Sequence, residues 1–284
     1  MDAQTPQPFV LAGVDGTAAD DGIVAWAVRE ARERGDVLTI AHVRARPQDD
    51  EARLRAQAVL DEAVAHARAV APRVPVHPYL ASGSAGDVLL RLSRNAEVTV
   101  LGPGSHRHIS IGSVAERVVT HAHNPVVLVR GGAGPVRRVG LGLDASPAAR
   151  DACAFAVDEA RLHGARLEVV TSYWRPDSGL EPDDLLGPRY AARRVDAGRL
   201  LEDTVRPYAD KYPEMQVSAV VTARPPGPVL DDLAAGVDLV VVGSRGLGPV
   251  AGFVLGSVSL GLVRHAACTV AVVHAPWPGE GARP

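Results

Sequence analysis

"FVLAGVDGTAADDGIVAWAVREARERGDVLTIAHV" forms residues 9–43, and "RVGLGLDASPAARDACAFAVDEARLHGARLEVVTS" forms residues 138–172. The second stretch aligns on the first without a gap, so that Asp144 falls on Asp15. Each contains a short apolar segment, a helical segment that stops at a glycine, and a second apolar segment. This order predicts a strand, a helix and a parallel strand in both halves of the chain.

The repetition continues toward the end of each half. "GSVAERVVTHAHNPVVLV" (112–129) aligns with "GSVSLGLVRHAACTVAVV" (256–273), and the connecting "RGGAGPVRR" (130–138) is typical of a linker. We therefore predict a domain duplication, with a first domain over residues 1–131 and a second over residues 136–284. Strands alternate with helices throughout, so the predicted fold class is α/β, with two tandem doubly wound parallel-sheet domains.

Hydroxyl residues and glycines indicate the ends of the first helix in each copy. Thr17 and Ser146 are predicted N-caps, because a side-chain oxygen there accepts a bond from a free backbone N–H. Gly35 and Gly164 suit the left-handed residue that follows a helix. Asp15 and Asp144, which follow the first strands, are therefore not needed as caps, and this favours a ligand-binding role for them over a capping role.

The composition excludes several classes of protein. The 284 residues carry a formal net charge of −3, so no global positive field attracts nucleic acid or an anionic membrane. No apolar run approaches the roughly 18 residues that a membrane span requires. The N-terminal residues do not resemble a secretory signal, and the two cysteines lack the spacing of a zinc site or a disulfide framework. We expect a cytoplasmic protein.

The stretch "VVVGSRGLGPVAGFVLGSVS" (240–259) carries the strongest functional signal. A buried strand runs into a glycine-rich loop and then into a helix that begins at Gly256-Ser257. Glycines let a backbone approach a ligand closely, and the first turn of a helix offers unpaired N–H groups to an anion. Asp144 and Ser172 end neighbouring predicted strands, so we expect them beside this loop at the carboxyl edge of the sheet.

The spacing from Gly243 to Gly246 and on to Gly256-Ser257 resembles the nucleotide-binding motif of the universal stress protein family in its tandem form. The resemblance covers nearly the whole chain. It implies a Rossmann-like, adenine-nucleotide α-hydrolase-like fold with two copies related by a pseudo-twofold axis. It also implies that ATP, with or without Mg²⁺, binds the second copy. The residues implied there are Asp144, Ala145, Ser146, Ser172, Gly243, Ser244, Arg245, Gly246, Gly256, Ser257 and Val258.

The first copy departs from this motif. Its loop reads "GPGSHRHISIGS" (102–113), in which Ser105 replaces the second glycine and the loop is shorter. Either side chains replace backbone donors around a phosphate or this copy has lost its ligand, and loss or weaker binding is the favoured reading. The corresponding candidate residues are Asp15, Val43, Gly102, Gly104, Gly112, Ser113 and Val114.

Three hypotheses for function follow. The leading one is an adenine-nucleotide-binding protein of stress response or signalling, in which bound ATP biases conformation or partner choice. The second is an ATP-hydrolysing or nucleotidyl-transferring enzyme with Asp144 holding a metal, although no catalytic base is evident. The third is a scaffold without a ligand that acts through its dimer surface. Pairing of the two copies through their apolar last strands is expected, and a further homodimer is open.

Several features have a structural interpretation that outweighs a chemical one. His106 with His108 and His121 with His123 are more typical of surface or helix-end histidines than of a metal site. Cys153 and Cys268 are predicted core residues rather than redox sensors. Residues 174–189 form either a lid over the second site or an ordinary surface loop.

Overall fold

A computed structural model describes residues 7–44, 50–104, 112–131, 134–174, 188–246 and 255–274. By its backbone contacts the chain divides into two compact units. The first comprises residues 1–134 together with 269–271, and the second comprises residues 135–268 together with 272–284. Each unit is an α/β structure whose strands and helices follow the order predicted by the repeats.

The first half of the chain contains five strands and four helices within the described residues. In chain order they are β1 (Phe9–Val14), α1 (Asp20–Arg34), β2 (Val37–Arg44), α2 (Asp50–Val70), β3 (Val76–Ser82), α3 (Ala85–Ser93), β4 (Val98–Leu101), α4 (Ser113–His121) and β5 (Val126–Leu128).

The second half of the chain repeats this order. Its elements are β6 (Arg138–Leu143), α5 (Pro147–His163), β7 (Arg166–Ser172), α6 (Pro188–Lys211), β8 (Val217–Thr222), α7 (Pro226–Gly236), β9 (Leu239–Gly243), α8 (Ser257–His265) and β10 (Thr269–Val273).

The strands form parallel sheets whose order reverses beside the first strand of each half. The first unit has the order β3-β2-β1-β4-β5, and the second contains the order β9-β6-β7-β8. The winding therefore changes direction between β1 and β4, and again between β6 and β9. In doubly wound sheets, ligands bind at the carboxyl ends of the strands on either side of such a reversal. The predicted α/β fold class is confirmed.

Burial explains why the central strands are so apolar. All five residues of β9 and all four of β4 are buried, as expected for strands covered by helices on both faces. The helices pack in pairs, α1 with α2 and α3 with α4 in the first unit, and α5 with α6 and α7 with α8 in the second. Phe155 of α5 is fully buried and corresponds to the buried Trp26 of α1, so the same core position is filled in both copies.

Three of the four predicted helix ends are confirmed. Gly35 and Gly164 follow α1 and α5 with φ of 72° and 60°, and the Ser146 hydroxyl accepts a bond from the N–H of Ala149 at 3.2 Å. The prediction for Thr17 is wrong. The helix α1 begins later, at Asp20, and its N-cap residue Ala19 makes no side-chain capping bond.

Among the described residues, no helix combines the length and the apolar character that a membrane crossing requires.

Both cysteines are buried, in agreement with their prediction as core residues. Cys153 of α5 has no exposed surface, and burial raises the pKa of its thiol to about 12. Only the thiolate is a nucleophile, so the raised pKa keeps Cys153 in its unreactive protonated form at pH 8.

We expect Cys153 to resist iodoacetamide in the native protein at pH 8, because its thiol is both buried and protonated. Peptide mass mapping after alkylation measures this, with protein unfolded in guanidinium as the control that labels fully. Alkylation of native Cys153 at the rate of the unfolded control would contradict the assignment and revive the redox alternative.

Candidate functional site

Strand register brings three candidate segments together at the carboxyl edge of the second sheet. Leu143 of β6 is paired with Thr171 of β7, and Gly142 of β6 with Val242 of β9. One step further along these registers, Asp144 stands between Ser172 on one side and the start of the β9–α8 connection on the other. Neighbouring strands lie about 4.8 Å apart, so the three segments share one short stretch of the edge.

The Asp144 side chain is half-buried and organises the turn that leads into α5. Its Oδ1 accepts a bond from the N–H of Ser146 at 3.0 Å, which is an Asx-turn. Its second oxygen, Oδ2, faces the glycine loop: a Cβ built on Gly246 would lie 2.9 Å from it. Asp144 is therefore a turn residue and not a helix cap, and one of its carboxylate oxygens lies against bare backbone.

Hydrogen bonds hold both ends of the β9–α8 connection together. The N–H of Gly256 donates to the Ser244 carbonyl at 2.9 Å, and the buried Ser259 hydroxyl donates to the Gly243 carbonyl at 2.8 Å. The N–H of Ser244 donates to the carbonyl of Val273 at the end of β10, also at 2.8 Å. The first and last residues of the connection are thus fixed next to each other.

Two glycines of this connection are required by close approach. A Cβ on Gly243 would lie 2.9 Å from the backbone carbon of Ala148 in α5, which is closer than real contacts allow. Gly246 has exposed backbone, and a Cβ there would displace the Asp144 carboxylate. Gly243 therefore lets β9 pack closely against α5, and Gly246 leaves the main chain uncovered beside Asp144.

The helix α8 points its first turn at the same place. Its N-cap is Gly256, which has no side chain to cap the helix, and a Cβ on Gly256 would lie 3.5 Å from the nitrogen of Gly246. The first N–H groups of a helix lack partners within the helix and carry its positive dipole end. Ser257 is exposed and Val258 half-buried at this turn, so the N-terminus of α8 is accessible beside Gly246.

The remaining candidates of the second copy surround this arrangement. Ala145 and Arg245 are exposed, and the Ser146 hydroxyl donates to the Arg245 carbonyl at 3.1 Å while it also caps α5. Ser172 ends β7, where its hydroxyl donates to the Arg224 carbonyl at 2.7 Å. Residues 247–254 of the connection, and residues 175–187 of the suggested lid (174–189), lie outside the described residues.

The profile of the universal stress protein family matches residues 9–130 and again residues 135–274. The chain belongs to the universal stress protein family. Its members are named as stress proteins, and the double match agrees with the duplication read from the sequence.

Relatives of similar length support the assignment. Universal stress protein Rv1996 of Mycobacterium tuberculosis is 30% identical, and the alignment covers 97% of this chain and 98% of the relative. Universal stress protein Rv2005c of the same organism is 29% identical, with 96% and 99% covered. The crystal structure of a universal stress protein from Archaeoglobus fulgidus superposes with a TM-score of 0.70 at 18% identity, covering 95% of this chain and 99% of that one. That likeness shows the shared fold.

The first universal stress protein unit keeps the same strand register but builds its edge differently. Val14 is paired with His42, so Asp15 stands opposite Val43, as Asp144 stands opposite Ser172 in the second copy. The N-cap of α4 is Gly112, whose N–H donates to the Pro103 carbonyl at 2.7 Å, which is the counterpart of the bond between Gly256 and Ser244.

Asp20 is the main difference at the first edge. Its carboxylate accepts bonds from the N–H groups of Asp15 at 3.2 Å and Gly16 at 2.7 Å, whereas the corresponding residue of the second copy is Ala149. Partial burial raises the pKa of Asp20 despite these two bonds. An acidic side chain that occupies two backbone donors at this edge disfavours an anionic ligand, and it also explains why Thr17 is not the N-cap.

The first connection has glycines for other reasons. Gly104 has φ of 90° and lies against Gly112, with a would-be Cβ 3.1 Å from the Gly112 Cα. Gly102 lies against Ile23 of α1. The first turn of α4 holds the candidates Ser113 and Val114, both exposed, while residues 105–111, including His106 and His108, lie outside the described residues.

His121, of the other histidine pair, has a partner on its own helix. His121 ends α4, and its Nδ1 lies 2.9 Å from the Arg117 carbonyl of the preceding turn. Within the described part of the chain, neither His121 nor His123 belongs to a cluster of three metal-ligating side chains.

Sequence reasoning missed two residues that shape the second site. Ser259 ties α8 to Gly243, and Ala148 forces residue 243 to be glycine. The signal for Ser259 was a second serine in the first turn of the helix. No comparable signal exists for Ala148, because its importance comes from a contact between α5 and β9 that only the folded chain shows.

Ser146→Ala should lower the free energy of unfolding by about 1–2 kcal/mol, because it removes the α5 cap and the bond to the Arg245 carbonyl. Thr17→Ala is the matched control in the first copy and should change it by less than about 0.5 kcal/mol. Urea titration followed by circular dichroism measures both. Equal losses would show that Thr17 does cap α1 in solution.

Proposed function

We propose that the chain is an ATP-binding universal stress protein whose second unit holds the nucleotide and whose conformation or choice of partner depends on it. The observation that carries the proposal is the convergence of Asp144 Oδ2, the bare backbone of Gly246 and the open N-terminus of α8 at one point of the sheet edge. An acceptor beside unpaired donors suits a ligand that has both hydroxyl and phosphate groups.

The phosphates are assigned to the backbone donors. The first turn of α8 supplies the N–H groups of Ser257 and Val258 and the positive end of the helix dipole, whereas the N–H of Gly256 already donates to the Ser244 carbonyl. The Ser257 hydroxyl adds a donor, and the exposed Arg245 adds positive charge at the rim. Because Gly246 carries no side chain, an anion can approach the main chain there without a Cβ collision.

The nucleoside is assigned to the neighbouring strand ends. The Asp144 carboxylate is a strong acceptor for ribose hydroxyls, and its position is held by the bond from the Ser146 N–H. Ser172, on the adjacent strand, borders the space beside Asp144 where an adenine ring would lie. The role of Ser172 is through its backbone, since its hydroxyl is already engaged with Arg224.

The first unit is assigned no nucleotide. Asp20 already occupies the N–H groups of Asp15 and Gly16, and its charge repels phosphate from that edge. We therefore expect one ATP per chain rather than two.

Gly246→Val should abolish retention of ATP, because the new side chain would fill the space over the main chain and push Asp144 aside. Gly104→Val changes a glycine of the first unit's loop and should leave retention by the second unit intact. Nucleotide released by denaturation of purified protein is quantified by anion-exchange chromatography, with thermal melting as the check on folding. If a folded Gly246→Val retains as much ATP as the wild type, the glycine loop is not the phosphate site.

Asp144→Ala should weaken ATP binding by about tenfold to a hundredfold, since it removes a charged hydrogen-bond acceptor. Asp15→Ala is a matched control because it removes the same Asx-turn bond, here to the Thr17 N–H, and it should not change the affinity. Isothermal titration calorimetry measures both, together with the stoichiometry. Two ATP per chain, or equal effects of the two substitutions, would contradict the assignment of a single site.

Steady-state release of phosphate from ATP distinguishes this binding function from the enzyme hypothesis. We expect no release above the level of the Gly246→Val variant. Sustained release that disappears in Asp144→Ala would favour a hydrolase, and absence of any bound nucleotide would favour a scaffold without a ligand.

A further inference from the structure

The two units differ in the groove between their third and fourth helices. In the first unit, the Arg117 side chain of α4 crosses to α3. A Cβ built on Gly86 would lie 2.7 Å from the Arg117 Cδ, so the arginine side chain lies over this glycine. The Arg117 guanidinium forms an ion pair with the Asp87 carboxylate. The Ser84 hydroxyl and the Arg117 guanidinium both lower the pKa of Asp87. The groove of the first unit is therefore filled by an arginine from its own chain.

In the second unit that arginine is missing. Position 117 corresponds to Gly261 of α8, position 87 to Pro228 of α7, and position 86 to Gly227. The second unit therefore keeps the glycine on α7 but lacks the arginine side chain that lies over it in the first unit. A cavity of about 180 Å³ lies in its place. We call it the α7–α8 groove; the described residues that line it include Gly227, Asp231, Ser257, Gly261, Leu262 and His265.

Gly261 is otherwise hard to explain. It lies in the interior of α8, where glycine is among the least favourable residues, and its φ is not in the left-handed region. No described atom lies within 4 Å of a Cβ built on it, so packing does not require a glycine either. What the glycine does provide is the open groove.

The chemistry of the groove matches the side chain that its counterpart holds. Leu262 supplies an apolar floor for a methylene stem, and the exposed Asp231 supplies a carboxylate one helical turn along α7 from the position of Asp87. The neighbouring Asp232 is paired with Arg224 at 2.7 Å, which leaves Asp231 as the acid that lines the cavity. The cavity is smaller than the roughly 300 Å³ at which drug-sized ligand sites begin.

We propose that the α7–α8 groove binds the side chain of an arginine presented by a partner protein. The guanidinium pairs with Asp231 as Arg117 pairs with Asp87 in the first unit, and the stem lies over Gly227 and Gly261. The described lining supplies one carboxylate, Asp231, for the guanidinium and no second carboxylate for the α-ammonium of a free amino acid. An arginine within a polypeptide, which lacks that ammonium, matches the groove better.

The test uses the full chain, labelled with ¹⁵N, and Nα-acetyl-L-arginine amide as the probe. We expect saturable chemical-shift changes at Gly227, Asp231 and Gly261, with a millimolar Kd because a single exposed ion pair binds weakly. Nα-acetyl-L-citrulline amide has nearly the same shape without the charge and should cause no saturable change. Equal shifts from both probes, or no saturation with the arginine probe, would overturn the proposal.

Two substitutions locate the binding. Gly261→Arg places an arginine at the position of Arg117, over Gly227, and should abolish the shifts at Gly227 and Asp231, and thermal melting should show a folded protein. Asp231→Asn should raise the Kd about tenfold, the loss expected for one charge-assisted hydrogen bond. Retained affinity in either folded variant would show that the probe binds elsewhere.

A further titration distinguishes the source of the arginine. Free L-arginine carries an α-ammonium and an α-carboxylate that the capped probe lacks. Asp231 attracts the first and repels the second, so free L-arginine should bind no more tightly than the capped probe. Tighter binding of free L-arginine would overturn the partner-protein proposal and indicate a small-molecule site.

Discussion

The parallel register of β6 with its two neighbours is the constraint on which the second site depends. Because Leu143 is paired with Thr171 and Gly142 with Val242, Asp144 lies between the ends of β7 and β9. A shift of one residue in either pairing would turn the strand over and send its carboxylate to the opposite face. The apolar residues that bury these strands on both faces therefore also determine where the polar edge lies.

The comparison of the two halves shows how one fold supports different surfaces. At the sheet edge, Asp20 occupies backbone donors of the first copy, whereas its counterpart Ala149 does not in the second. On the helical face the relation is similar, since Arg117 covers what Gly261 leaves open. In both places a side chain of the first copy fills a space that the second copy leaves accessible, while strand order and helix pairing are unchanged.

Much of this architecture could be predicted from the sequence. Strands that are buried on both faces are continuously apolar, and glycines such as Gly35 and Gly164 end helices for a backbone reason that needs no tertiary context. The placement of Asp144 beside the glycine loop followed from strand order alone. These predictions succeeded because they depend on local geometry and on the winding rule of parallel sheets.

Other features were not predictable because they arise from contacts between distant elements. Thr17 had the right residue type for a cap, but Asp20 competes for the same turn and delays the start of α1. The need for glycine at position 243 comes from Ala148 on another helix. The α7–α8 groove required a comparison of Gly86 with Arg117 in space, since neither residue is unusual in the linear sequence.

One hydrogen bond is common to both halves of the chain. The N–H of Gly112 donates to the Pro103 carbonyl, and the N–H of Gly256 donates to the Ser244 carbonyl, although the β9–α8 connection is longer than the β4–α4 connection. In each half this hydrogen bond holds the end of the strand next to the start of the helix. The bond that joins the end of the strand to the start of the helix is the same in both halves, so it does not depend on the length of the connection.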